Sequence, residues 1–490
     1  MRSVRSSFAW MGGAQLLTVL FQFVAQVVLA RCLSVHEAGI YAFALSVVAL
    51  LSLIQAAGLK ALIIREEVLS EAVEATAFTM NALITIGLSL AILLFALFGG
   101  AFLREEGVRH VLQAMAVTPL FSIFFFLPAA RMEREGQFAR IAVIGIAGAL
   151  AGALATILLA LRGWSYMSVP YGQWVTGAAT LILTNILGAP FIRLRLSLRS
   201  WRRIGGFGMQ MLAVAGVNTA SSRLSEIALA RVQGLETMGL FFRASSLNTV
   251  LWVNLHTLIG RVMLVDFARL HRQGISLRDR YLQSLDITTG LLWPVFAGGA
   301  VLAAPALKLI FGEKWVPAAP ALSMILIASM IQISISMTWE IFAAKDRLAI
   351  LTRIEYIRSA LTFALFVAAC FISLEAAAAV RIVDALLAVA LYRRHLHRMT
   401  DTTGRDFLRC YRRGLVLTLL ACLPALLLVC FAGRRAADLA PASLAAAVAL
   451  GAAFWLGGLV VLRHVLLDQL RGMIRERGPA RGSRLPGKAQ

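Results

Sequence analysis

Apolar stretches of about 20 residues, each enough at about 1.5 Å of helical rise per residue to cross a hydrocarbon core of about 30 Å, recur along the whole chain. We read them at 8–30, 40–63, 78–98, 111–130, 141–161, 166–188, 207–230, 239–262, 283–305, 319–342, 355–374, 376–392, 414–432 and 442–464. The segments are continuously apolar, whereas barrel strands would alternate over about ten residues. The pattern therefore predicts an all-α polytopic membrane protein of about 14 transmembrane helices. Its first span follows Arg2 and Arg5 but has a longer core than a secretory signal, so it is read as an uncleaved helix.

Composition agrees: 60% of the 490 residues are hydrophobic and 15% charged, more apolar surface than a soluble chain of this length can hide. The net charge of +22 raises the question of nucleic acid until it is laid on the spans. With the amino terminus inside, 34 Lys and Arg fall in cytoplasmic segments and nine outside, so the positive-inside rule absorbs the charge and places both termini in the cytoplasm. Basic residues spread over every inside loop, with no recognition fold, exclude a nucleic-acid partner; anionic lipid headgroups are their natural neighbours.

All gaps between spans are short, leaving no room for the catalytic domain that a membrane glycosyltransferase needs. No enzyme is expected, and no catalytic residue is assigned. Glu105-Glu106 is the sole adjacent acidic pair in an outside loop. The tail GSRLPGKA, Gly482 to Ala489, approaches a P-loop, but Ala489 stands where Ser or Thr would ligate magnesium and no strand precedes it. Cys32, Cys370, Cys410, Cys422 and Cys430 lack metal or disulfide spacing, and His395 and His397 lie in a basic loop, so neither metal nor cofactor is expected.

The chain partly repeats itself. Residues 27–46, VVLARCLSVHEAGIYAFALS, align at an offset of 200 with 227–246, IALARVQGLETMGLFFRASS, sharing Leu29/Leu229, Ala30/Ala230, Arg31/Arg231, Gly39/Gly239, Ala44/Ala244 and Ser46/Ser246. ITIGL at 84–88 matches ITTGL at 287–291, and AAR at 129–131 resembles AAK at 343–345. The slowly growing offset predicts two pseudo-symmetric six-helix lobes, 1–189 and 207–393, joined by a basic connector at 190–206. A basic loop at 394–413, two added helices at 414–464 and a basic tail at 465–490 complete the expected organisation. Because each lobe has an even number of helices, both keep one orientation, about an axis along the membrane normal.

Polar residues mark the lobe interior. Thr18, Gln22 and Gln26 share one stripe of the first span with Gln15 below, and their offset-200 counterparts are Asn218, Ser222 and Glu226. Unpartnered amides in hydrocarbon cost several kcal/mol, so these side chains are expected to face protein or water. Hydrogen bonding between packed helices would also satisfy them. Arg223 and Glu226, like Arg381 and Asp384, are spaced i, i+3, as a self-neutralised pair would be. Intramembrane charge also marks pathways, so Arg223 is expected to act on substrate, while Lys60 and Arg358 are expected to snorkel to the cytoplasmic interface.

LAR followed by Gly39 and Tyr41, AAR-x-E-R with its Arg-Ile re-entry (Arg131, Glu133, Arg134, Arg140), and FGEKW-xx-AAPAL at 311–322 resemble the Wzx-type polysaccharide flippases of the multidrug/oligosaccharidyl-lipid/polysaccharide exporter superfamily. The resemblance covers essentially the whole chain. It implies alternating-access movement of an undecaprenyl-pyrophosphate-linked oligosaccharide from the cytoplasmic to the periplasmic leaflet of a bacterial inner membrane, beside polysaccharide polymerase and export machinery. In that setting Gln15, Gln22, Gln26, Asn218, Ser222, Arg223 and Arg243 are the expected substrate residues, and Glu226, Asp286 and Asp384 the candidates for ion coupling. Gly12-Gly13, Pro119, Pro128, Pro294 and Gly298-Gly299 are expected to allow bending. A lipid II flippase or a drug/cation antiporter of the same superfamily would read much alike, and a membrane glycosyltransferase is the remaining alternative.

Overall fold

The computed structural model describes residues 2–56, 59–65, 69–99, 105–188, 195–199 and 201–467; the P-loop-like tail lies outside them. Among the described residues there are helices and no strands. The chain opens with α1 (Arg2–Cys32), α2 (Val35–Leu51), α3 (Leu59–Arg65), α4 (Glu71–Phe98), α5 (Glu106–Val117), α6 (Phe121–Arg134), α7 (Phe138–Leu161) and α8 (Ser168–Leu187). It continues with α9 (Trp201–Gln233), α10 (Leu235–Arg272), α11 (Arg278–Val301), α12 (Ala303–Phe311), α13 (Ala319–Ile333), α14 (Thr338–Ala344), α15 (Leu348–Cys370), α16 (Leu374–Thr400), α17 (Gly404–Ala432) and α18 (Pro441–Val461).

Local chemistry sets several boundaries. Ser34 caps α2 in a reciprocal box with Glu37, and Thr403 does the same for α17 with Asp406, each pair satisfying two otherwise orphaned donors. The span expected at 111–130 is interrupted by a 3-10 turn at Thr118–Leu120, where Pro119 removes a backbone donor. The span expected at 283–305 breaks after α11, which bends by 76° into α12 just beyond Gly298-Gly299, while Pro294 stays inside the helix. The span at 319–342 breaks before α14, where Met337 adopts a left-handed backbone at φ 64°. Among the described residues seven helical spans are long and apolar enough to cross a bilayer, or eight if the bent α11–α12 pair counts as one.

Two compact units divide the chain. One comprises Met1–Ser246, Leu307–Ala321 and Glu355–Val380; the other comprises Leu247–Ala306, Leu322–Ile354 and Arg381–Gln490. In the first, the AAR-x-E-R motif ties three helices together. Arg131 forks onto the buried Glu74 carboxylate of α4, Glu133 pairs with Lys60 of α3 at 2.5 Å, and Arg134 donates to the Ile63 carbonyl at 2.6 Å. Lys60 thus ends on a carboxylate. Arg358 departs from its expected snorkelling: it is buried and paired with Glu355 at 2.7 Å, because a carboxylate one turn away on α15 satisfies it without a reach to the interface.

The second unit centres on an aromatic cluster of Phe267, Tyr281, Phe342, Tyr392 and Phe407. In both units, helices turn large apolar side chains outward at one-turn spacing, as with Leu83, Ile86, Leu90, Leu94 and Leu97 of α4 and Leu415, Leu419, Leu423 and Leu426 of α17. Water would make such stripes aggregate, so their solvent is lipid.

Candidate substrate cavity

A cavity of about 480 Å³ lies within the first unit, walled by α1, α2, α7, α8 and the start of α10. Its polar lining is Thr18, Gln22 and Gln26 from α1, Tyr41 from α2, Thr156 from α7, Gln173, Thr176 and Thr180 from α8, and Arg243 from α10. The α7–α8 wall depends on two small-residue motifs, Gly152-x3-Thr156 and Gly172-x3-Thr176. A Cβ on Gly152 would overlap Thr176 Oγ1, and one on Gly172 would overlap Thr156 Oγ1, so each glycine receives the other helix's threonine. Such small-residue crossings let helices pack closely in lipid, and here they hold hydroxyls along the cavity wall.

Gln173 Nε2 donates to the Tyr41 hydroxyl at 3.4 Å, and Thr176 Oγ1 to the Gly172 carbonyl at 3.0 Å. Gln22 and Gln26 make no hydrogen bond to any described residue, so both amides keep donors and acceptors for an occupant. Among the described residues the lining carries no carboxylate, and Arg243 is the one charged group.

Arg243 is 4% exposed, with its guanidinium 4.6 Å from the ring centroids of both Phe311 and Trp315. Each such contact is worth about 0.5–2 kcal/mol, rising with desolvation. The FGEKW motif supplies these rings by turning at Gly312, whose φ of 105° is a left-handed conformation that glycine tolerates. The motif also closes the carboxyl end of α1: Trp315 Nε1 donates to the Ala30 carbonyl at 2.8 Å, and Lys314 Nζ to the carbonyls of Arg31 and Leu33 at 3.0 and 2.6 Å. Arg31 answers by donating to Leu309 and Ile310 carbonyls at the end of α12. Two helix ends whose last carbonyls lack intrahelical partners thus cap one another.

Gln22, Gln26 and Arg243 therefore meet at one cavity, joined by the unanticipated Gln173, Thr156, Thr176 and Thr180. The stripe Gln173, Thr176, Thr180 at i, i+3, i+7 was a readable signal. Gln15 lies on α1 outside the residues whose side chains are described. Asn218 is exposed on α9 and Ser222 half-buried, and neither lines the cavity. Arg223, also off the cavity, pairs with Glu226 at 2.7 Å, and the same Glu226 oxygen accepts from Ser46 Oγ at 2.6 Å. Asp384 is half-buried on α16. Asp286 is buried on α11 with Arg413 and His464 beside it.

Residues 28–320 match the sequence family described as "Polysaccharide biosynthesis protein". The lipopolysaccharide biosynthesis protein WzxC of Escherichia coli strain K12 is 24% identical over 334 residues, 67% of each chain. The succinoglycan biosynthesis transport protein ExoT of Rhizobium meliloti strain 1021 is 25% identical over 325 residues, 66% of each chain. The chain thus spans about two thirds of the length of these relatives. Among solved structures, the inward closed conformation of lipid II flippase MurJ superposes with a TM-score of 0.70 at 12% identity, covering 94% of this chain and 99% of that one, a likeness of fold. With the family match extending over more than half its length, this chain belongs to the polysaccharide biosynthesis protein family.

Proposed function

We propose that the protein is a Wzx-type flippase, carrying an undecaprenyl-pyrophosphate-linked oligosaccharide from the cytoplasmic to the periplasmic leaflet of a bacterial inner membrane by alternating access. The observation that carries this reading is the cavity: amides and hydroxyls from four helices around a single guanidinium, enclosed by helices whose outer faces are apolar. A sugar headgroup exchanges its water hydrogen bonds for Gln and Thr side chains, its anionic groups find Arg243, and its polyprenyl tail stays in lipid. At about 480 Å³ the cavity is in the range of small-molecule sites. An organic cation finds no carboxylate on the described lining, which disfavours a drug/cation antiporter. Both termini are placed in the cytoplasm on the strength of the basic inside loops. A polymerase that consumes the flipped unit, with its export machinery, is the partner this role requires.

The test replaces the two cavity amides that bond to no described residue. In cells whose own flippase gene is deleted, wild-type protein restores surface polysaccharide, whereas Gln22→Leu/Gln26→Leu, unchanged in membrane abundance, leaves lipid-linked oligosaccharide inaccessible to periplasmic labelling. Loss of two hydrogen bonds of about 1 kcal/mol each predicts a fall in flipping of about tenfold or more. Undiminished labelling by the double variant would remove the cavity from the transport path.

A further inference from the structure

The turn that stacks Phe311 and Trp315 on Arg243 presents a second face. A pocket of about 510 Å³ opens there, lined by Arg31 at the end of α1, Lys308 and Phe311 at the end of α12, and Gly312, Glu313 and Lys314 of the FGEKW motif. Phe311 is common to both sites: it lines this pocket, and its ring lies 4.6 Å from the cavity's guanidinium. Among the described residues the lining sets three cations against one carboxylate, Glu313. That side chain is 82% exposed and 3.5 Å from Lys308, so it neutralises little. The nearby Glu37 is occupied, accepting from the Ser34 backbone N–H at 2.7 Å and from the Ser165 hydroxyl.

Two helices end at this turn, and their last carbonyls attract positive charge, so capping alone would bring cations here. The hydrogen bonds show what capping leaves over. Arg31 gives Nε and Nη2 to carbonyls and makes no bond through Nη1 to any described residue, while Lys314 uses two of its three ammonium hydrogens. Both residues are exposed. Because the carbonyls hold these side chains in place, an incoming anion meets donors whose rotamer freedom is already lost. Leu309, the residue after Lys308, is 46% exposed, which sets an apolar side chain beside the charges, as at the level where headgroups meet acyl chains. On the basic-inside topology proposed above, this face is periplasmic.

We infer that Arg31, Lys308 and Lys314 form an anion site for the phosphate groups of a lipid headgroup on the outer face, separate from the Arg243 cavity. Guanidinium and ammonium N–H groups donate to phosphate oxygens, Glu313 repels the anion and favours its departure, and the lipid tail stays in hydrocarbon beside Leu309. Two lipids carry that chemistry: an anionic phospholipid of the outer leaflet, and a polyprenyl pyrophosphate delivered by transport. As an exit station, a role that rests on the flippase reading above, the site receives the pyrophosphate that Arg243 releases across Phe311. The binding itself does not need that reading.

The experiment titrates purified full-length protein in a neutral detergent with undecaprenyl pyrophosphate, with dihexanoyl phosphatidylglycerol, and with dihexanoyl phosphatidylcholine as the net-neutral control, followed by calorimetry. At least one anionic probe should bind, weaken about tenfold in Lys308→Gln, recover in Lys308→Arg and tighten about threefold in Glu313→Gln, with the variants monodisperse by size exclusion. Lys308 and Glu313 lie off the Arg243 cavity, so occupancy of that cavity is blind to both changes. Glu313→Gln, at an exposed side chain, decides the matter if Lys308→Gln fails to fold. This pattern with undecaprenyl pyrophosphate supports the exit role; the pattern with phosphatidylglycerol alone supports a leaflet-lipid site and removes the exit role. Affinities indifferent to Glu313→Gln and Lys308→Gln, or no binding of either anionic probe, overturn the site. The same protein in liposomes is then assayed for flipping of a fluorescent polyprenyl-pyrophosphate-linked oligosaccharide. Charge-dependent binding with no flipping by wild type refutes the flippase reading and leaves the anion site standing.

Discussion

Gly39 and Gly239, 200 positions apart in the chain, pack against each other across a helix crossing: a Cβ on Gly239 would lie 3.1 Å from the Gly39 nitrogen. The contact is reciprocal. A Cβ on Gly39 would overlap the Leu235 carbonyl, and one on Gly239 would overlap the Val35 carbonyl, Val35 and Leu235 themselves being 200 apart. A repeated segment thus meets its own copy about a local two-fold relation between α2 and α10.

Because the obstructing atoms are backbone, neither helix can yield by changing a rotamer. Gly39→Ala and Gly239→Ala should each force the helices apart, at a cost of about 1–3 kcal/mol or more. Both variants should lose thermal stability in detergent by comparable amounts, as followed by a fluorescence-detected melting curve. A variant that melts like wild type would show that this crossing tolerates separation.

Trp315 has two separable roles. Trp315→Phe keeps a ring against Arg243 but removes the N–H that caps the Ala30 carbonyl, and should cost about 1 kcal/mol of stability. Trp315→Ala also empties a fully buried aromatic site and should cost about 3–5 kcal/mol. Arg243→Lys keeps the charge but loses the flat guanidinium that fits between two rings. It should therefore impair flipping in the periplasmic-labelling assay more than it lowers the melting temperature.

Arg223 is predicted to act through Glu226. Arg223→Ala leaves that buried carboxylate, among the described residues, with the Ser46 hydroxyl alone, and should lower the amount of folded protein in the membrane. Arg223→Leu/Glu226→Gln removes both charges and should recover abundance. Arg223→Ala with normal abundance and abolished flipping would instead return this residue to the substrate path.

Membrane character, helical class and family motifs were legible in the sequence because they are one-dimensional: a hydrocarbon core demands long apolar runs, and Thr18, Gln22 and Gln26 share a stripe by helix periodicity alone. The FGEKW and AAR-x-E-R motifs were likewise visible, but not their work. Arg131 needs Glu74, Arg243 needs Phe311 and Trp315, and nothing along the chain announces partners so far away.

The sequence by itself determined that this chain lives in lipid, forms helices, repeats a segment at an offset of 200 and carries polar residues where lipid would reject them. Tertiary structure alone decided which of those polar residues share a space. Periodicity assigns each side chain a face of its own helix, but neighbours depend on how close two helices can come, which is set by Gly152 against Thr176 and Gly290 against His464. Thus Gln22 and Arg243 line one cavity, Arg223 turns to Glu226, and His464, a residue without any local signal, arrives beside Asp286.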